Sequence, residues 1–130
     1  MKKIILPLKS KLKYGNKKTF VKGVENAFDS KMEADFYLFL KNICCYSKEQ
    51  IILQPKFELQ PKFKDNENKA IREIIYKADF QIENYVIDIK GFETKDFIIK
   101  SKIFKYKYPD LKLLVGTSEE VKILFWNGTH

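Results

Sequence analysis

Histidine is nearly missing from this chain: one occurs in 130 residues, and it is the terminal His130. Enzymes built on a histidine general base, including the Ser-His-Asp and Cys-His arrangements, are therefore not expected. Glycine is scarce too, with five residues, and no GxGxxG or Walker-type loop is present to cradle a nucleotide phosphate. The two cysteines, Cys44 and Cys45, are neighbours, a spacing that does not close an unstrained disulfide. With no further thiol, a disulfide framework and a cysteine zinc site both drop out, which fits a reducing compartment. No apolar run approaches membrane-spanning length. The opening Met-Lys-Lys-Ile-Ile-Leu-Pro-Leu imitates a signal peptide, but its apolar stretch stops at Lys9, too soon for a hydrophobic segment of that kind. A cytoplasmic protein with no membrane partner is expected.

Acid is missing from one segment. Met1 to Val24 carries eight lysines and no Asp or Glu, within a chain of net charge +8 and pI near 9.3. Such a balance points to a polyanionic partner, nucleic acid before anionic membrane. Residues 1–28 are read as a basic arm ending in a short hairpin, KKTFVKGVENAF, that turns near Lys22-Gly23. Lys17, Lys18 and Lys22 are its candidate phosphate contacts; a solvated tail explains the arm equally well. Residues 29–130 form one domain, and the whole chain is long enough for a single core.

Within that domain, Ser30 followed by Glu33 has the spacing of a capping box. Met32, Phe36, Phe39, Leu40 and Ile43 then mark one face of a helix. LQPKF occurs twice, at 53–57 and 59–63, and Pro55 and Pro61 restrict this stretch to an edge or broken strand. KDNENKAIR reads as a loop. A hairpin is expected from about Ile74 to Lys90. Thr94 caps a second helix whose apolar set is Phe97, Ile99, Ile103 and Tyr106, with a stop before Pro109. Strands are expected at Leu111–Val115 and Val121–Trp126, with Trp126 in the core. The class is α/β, a mixed sheet flanked by helices.

Chemistry concentrates in the hairpin, YKADFQIENYVIDIKG. A two-residue turn at Glu83-Asn84 pairs Ile82 with Tyr85, Gln81 with Val86, Phe80 with Ile87 and Asp79 with Asp88. Alternation sends Ala78, Phe80, Ile82, Tyr85, Ile87 and Ile89 to one face. Lys77, Asp79, Gln81, Val86, Asp88 and Lys90 go to the other. Two carboxylates opposed at roughly 5 Å repel by about 3 kcal/mol at an effective dielectric near 20. A bound cation relieves that cost; an ordinary charged sheet face balanced by Lys77 and Lys90 is the competing explanation. Hard oxygen donors suit Mg²⁺ or Mn²⁺, and a lysine beside them suits metal-assisted phosphodiester hydrolysis. Glu33 has two readings as well, a helix cap or a third acid reaching toward Asp79. Lys56 in the repeat and Lys100 and Lys102 on the second helix are further candidate DNA contacts, each equally well explained as solvated surface.

The ordered set FDSKMEADFYLFL, LQPKFELQP, YKADF, VIDIKGFETKDF and FKYKYP, from about Lys13 to Pro109, resembles a family of small, mostly phage-encoded proteins of the PD-(D/E)xK nuclease superfamily. The resemblance implies a restriction-endonuclease-like αβββαβ core. It also implies Mg²⁺-dependent DNA cleavage and a role in recombination or DNA processing akin to that of Holliday-junction resolvases, in a bacterial host cytoplasm. The superfamily's helix-borne acid falls on Glu33, its second acid on Asp79, and its (D/E)-x-K on Asp88 and Lys90. Glu33, Asp79 and Asp88 become the metal ligands, and Lys90 assists the attacking water. Ala78 stands where the name-giving proline often lies, and the auxiliary polar position on the next helix has only Lys100 and Lys102 as candidates. A resolvase needs two active sites, so a homodimer is part of that expectation. Two alternatives stand beside the endonuclease: a non-catalytic DNA-binding module on the same fold, and a phage protein that binds a host factor.

Overall fold

The computed structural model describes residues 18–21 and 28–130. Most of the basic arm, including Lys17, Lys22 and the expected turn at Lys22-Gly23, lies outside them. The base of the expected hairpin is visible: Thr19 and Phe28 form an antiparallel bridge, exchanging backbone hydrogen bonds of 2.9 and 2.6 Å.

Helix α1 runs Lys31–Asn42, and the Ser30 hydroxyl caps it by accepting from the Glu33 N–H at 3.2 Å. Its buried face is Ala34, Phe36, Tyr37 and Leu40, together with Glu33, while Ile43 at the C-terminal end is 60% exposed rather than packed. The proline-punctuated repeat breaks where its composition demands. β1 (Ile52–Leu53), β2 (Lys56–Gln60) and β3 (Phe63–Lys64) are separated by Pro55 and Pro61, neither of which can donate to a ladder. β3 closes a small hairpin with β4 (Ala70–Ile71) over the KDNENK loop, where the Asp65 carboxylate accepts from the backbone of Glu67 and Lys69.

The expected long hairpin is divided between two sheets. β5 (Ile74–Lys77) pairs with β2, whereas β6 (Phe80–Ile82) pairs with β7 (Tyr85–Ile89) in the predicted register, Phe80↔Ile87, Gln81↔Val86 and Ile82↔Tyr85. Between them the chain bends at Ala78-Asp79. Helix α2 (Lys95–Lys107), capped by Thr94, crosses over to β8 (Lys112–Gly116), which lies parallel to β7. The main sheet therefore has the order β1-β6-β7-β8 and is mixed, with one parallel pair joined by a helical crossover.

Three expectations fail here. Val121–Trp126 is not a strand but part of helix α3 (Ser118–Thr129). Thr117 and Glu120 form a reciprocal capping box, and the i, i+4 pair Val121 and Phe125 is fully buried, so capping overrides the β-propensity of VKILFW. Trp126 is 39% exposed and stacks on His130 instead of entering the core. On α2 the buried face is Phe97, Ser101 and Phe104, while Ile99 and Tyr106 are turned outward.

The face assignment of the hairpin needs correcting too. Phe80, Ile82, Ile87 and Ile89 pack with α1 and α3, as expected. The other face is not a polar surface. Val86 joins Tyr76, Ala78, Phe57, Phe97 and Phe104 in a second core under α2 and the β2–β5 ribbon, and Asp88 is buried on that side. A sheet covered on both faces buries its whole central strand.

Candidate active site

Four predicted residues meet where the chain passes from one sheet to the other. Glu33 stands on the first turn of α1 and is 7% exposed; Asp88, in the central strand β7, is 4% exposed. Asp79 occupies the bend, and Lys90 follows β7 directly.

The bend explains how Asp79 tolerates its position. The ladder stops at Phe80↔Ile87, so Asp79 and Asp88 are not a regular cross-strand pair. The Asp79 carbonyl accepts from the Gln54 N–H, and its N–H donates to Ile87 O, both at 2.9 Å. Its carboxylate then takes the place of a strand carbonyl, with Oδ2 accepting from the Ile89 N–H at 2.7 Å. That bond draws the Asp79 side chain into the sheet rather than away from the other acids.

Glu33 does more than cap a helix. Its Oε2 lies 3.4 Å from the Ser30 hydroxyl, and the Asp79 side chain influences its ionisation. Burial, followed by the charges of Asp29 and Asp88, pushes the Glu33 carboxyl up to about 7. Burial, then Asp88 and Glu33, lifts Asp79 well above the usual carboxylate range, against the opposing pull of the Ile89 N–H and Lys90. Both acids are therefore harder to ionise than an ordinary carboxylate.

Asp88 is held from two sides. The Tyr76 hydroxyl donates to Oδ2 at 2.5 Å. Lys90 Nζ stands 3.3 Å from Oδ1 and 4.1 Å above the centre of the Phe97 ring. Burial and Asp88 raise the Tyr76 phenol far beyond its ordinary value, so it remains a donor. Tyr76 and Phe97 are participants that sequence reasoning missed. A buried tyrosine needs a partner for its hydroxyl, but the bend at Asp79 shifts the alternation and hides which face Tyr76 shares with Asp88.

Carboxylates beside a lysine are donor types that suit a hard divalent cation. Among the described residues, no group of three His, Cys, Asp or Glu side chains is arranged to hold a metal ion together. Mg²⁺ is commonly bound through one or two carboxylates, with water and substrate phosphate completing the shell. Asp79 and Asp88 suit direct ligation, and Glu33 suits contact through water.

Of the candidate DNA-contact lysines, Lys18, Lys56, Lys100 and Lys102 are among the described residues. Lys18 is paired with Asp29 at 2.8 Å, and Lys100 with Asp96 at 3.5 Å. Lys102 is exposed on α2, and Lys56 is exposed opposite Lys77 across the β2–β5 ribbon, two like charges side by side. Of the α2 residues, it is Phe97 that reaches Lys90. Among the described residues, no helix is long and apolar enough to cross a membrane.

The chain matches no curated protein and no solved structure. It does match the family model described as "Protein of unknown function (DUF1064)" over residues 11–122, most of its length, and it belongs to that family.

Proposed function

We propose that this protein is a Mg²⁺-dependent DNA endonuclease on a restriction-endonuclease-like core. The observation that carries the reading is that Glu33, Asp79 and Asp88, from a helix, a bend and a strand, perturb one another's ionisation while Lys90 pairs with Asp88 at 3.3 Å. The succession of α1, an antiparallel hairpin, crossover α2 and parallel β8 is consistent with that core. When bound, a divalent cation would stabilise charge on the phosphate and acidify a coordinated water. The chain's own residues do the rest. Asp79 and Asp88 would hold the cation, with the Tyr76 hydroxyl fixing the Asp88 rotamer and the Ile89 N–H fixing Asp79. Lys90, held by Asp88 and the Phe97 ring, would supply a positive charge for the attacking water or the phosphate. The net charge of +8 supplies backbone affinity that carries little base information, so selection rests on DNA structure: a junction, a flap or an end.

Cleavage of labelled branched and linear DNA, with Mg²⁺ and with chelator, tests this. The wild type cleaves only with Mg²⁺, and Asp88→Ala loses at least about a hundredfold. Asp88→Asn, which keeps a partner for Tyr76, controls for folding. If Asp88→Ala cleaves as well as wild type, the assignment is wrong.

The net charge of +8 also suits one rival, a DNA-binding module without catalysis. It expects salt-dependent DNA binding that is indifferent to chelators and to loss of Asp79.

A further inference from the structure

A cavity of about 450 Å³ is lined by Lys90, Phe92, Glu93, Glu120 and Leu124 and bounded by Gly116. Its volume falls within the roughly 300–1,000 Å³ of small-molecule sites. We propose that this cavity is a nucleobase subsite that receives an unpaired base next to the scissile phosphate. The inference rests on the nuclease reading for its location and adds a substrate class: DNA with unpaired nucleotides at the cleavage position.

The lining joins apolar surface to both signs of charge. Phe92, on the loop between β7 and α2, is 59% exposed, and Leu124 on α3 is 49% exposed, giving apolar surface suited to the flat face of a base. Aromatic–base stacking is tolerant of sequence because every base has a π-face. Glu93 brings a carboxylate to the same space, while Glu120 Oε1 accepts from the Thr117 N–H and hydroxyl in its capping box. A carboxylate accepts hydrogen bonds from the amino groups of cytosine and adenine, and Lys90 in the same lining suits the adjoining phosphate. In duplex DNA the Watson–Crick edge is paired and both faces are stacked, so a base can enter only when it is unpaired or drawn out of the helix. Gly116 keeps its side of the cavity bare. Its φ is +152°, and a Cβ there would come within 2.8 Å of Glu120 Oε1. The backbone also ties the cavity to the acid cluster, since the Lys90 N–H donates to Gly116 O at 2.8 Å. A base seated here lies against Lys90, the lysine that faces Asp88.

The test uses the full chain in chelator, where no cleavage occurs, and fluorescence anisotropy of overhang oligonucleotides carrying one abasic site moved along the unpaired strand. For wild type, one abasic position should weaken binding by roughly 5- to 100-fold, and the others should change it little. Phe92→Ala should bind the intact overhang as weakly as wild type binds that abasic probe, with no further loss on the probe itself. Phe92→Trp should restore the position dependence, which a merely misfolded alanine variant could not explain. A wild-type profile flat along the strand, or a Phe92→Ala protein that keeps the position dependence, overturns the subsite. Cleavage with Mg²⁺ on the same oligonucleotides is read separately. Cleavage with a flat profile removes the subsite and leaves the nuclease; a stepped profile without cleavage does the reverse.

Discussion

Lys90→Met should reduce Mg²⁺-dependent DNA cleavage by roughly 10²- to 10⁴-fold, the usual contribution of a positioned proton-transfer or charge-stabilising group. The same variant should bind divalent cation at least as well as wild type. The reason is local: Nζ stands 3.3 Å from Asp88 Oδ1 and competes with any cation for that oxygen. Removing the ammonium lowers the barrier-reducing charge at the phosphate but leaves the acids more receptive. Folding should survive, because the Lys90 side chain retains 26% of its exposure and methionine keeps contact with the Phe97 ring. Single-turnover cleavage and metal titration on the same preparation separate the two roles. Activity within tenfold of wild type would reduce Lys90 to a counter-ion for Asp88.

Stability of the metal-free protein should fall as pH rises from 5 to 8, and Mg²⁺ should reverse the trend. An acid whose pKa is raised on folding leaves the native state holding more protons than the unfolded chain, so stability declines with pH. Glu33 moves from 4.5 to about 7. Its contribution is complete below about 4.5, shrinks through the interval and is gone above about 7, a loss on the order of 3 kcal/mol. Asp79, raised in the same direction, extends the decline further up the scale. Glu33→Gln replaces the acid with a neutral isostere. Its urea-unfolding free energy should therefore depend much less on pH, at the expense of cleavage. Mg²⁺ fixed at a hundred times its dissociation constant at pH 8 should restore about 2.7 kcal/mol there and less at pH 5. A wild-type stability flat across this range would contradict the upward shifts of Glu33 and Asp79.

Much of the site was readable because it depends on local rules. The register of β6 and β7 follows from a two-residue turn, where Glu83 accepts φ +53°. The Ser30 cap places Glu33 on the first turn of α1. What could not be read depends on tertiary choices. Nothing local says that β5 leaves its hairpin to pair with β2, and that departure creates the bend at Asp79 and buries the face assigned to solvent. Asp88 thus gained a buried partner, Tyr76, rather than an open polar surface. VKILFW was misread because its apolar run fits a strand, although the Thr117–Glu120 box directly before it announces a helix. The α2 face was misplaced because phenylalanines and isoleucines occur all round that helix, leaving periodicity little power to choose between them.

The nuclease reading requires Glu33, Asp79 and Asp88 to take up a divalent cation. Calorimetric titration of Mn²⁺ into metal-free protein near about pH 6.5, in two buffers of different ionisation enthalpy, measures both affinity and released protons. The predicted result is one site that releases protons on binding, weakened at least about tenfold in Asp79→Asn and in Asp88→Asn. Equal affinity in wild type and both variants, or binding without proton release, would contradict it.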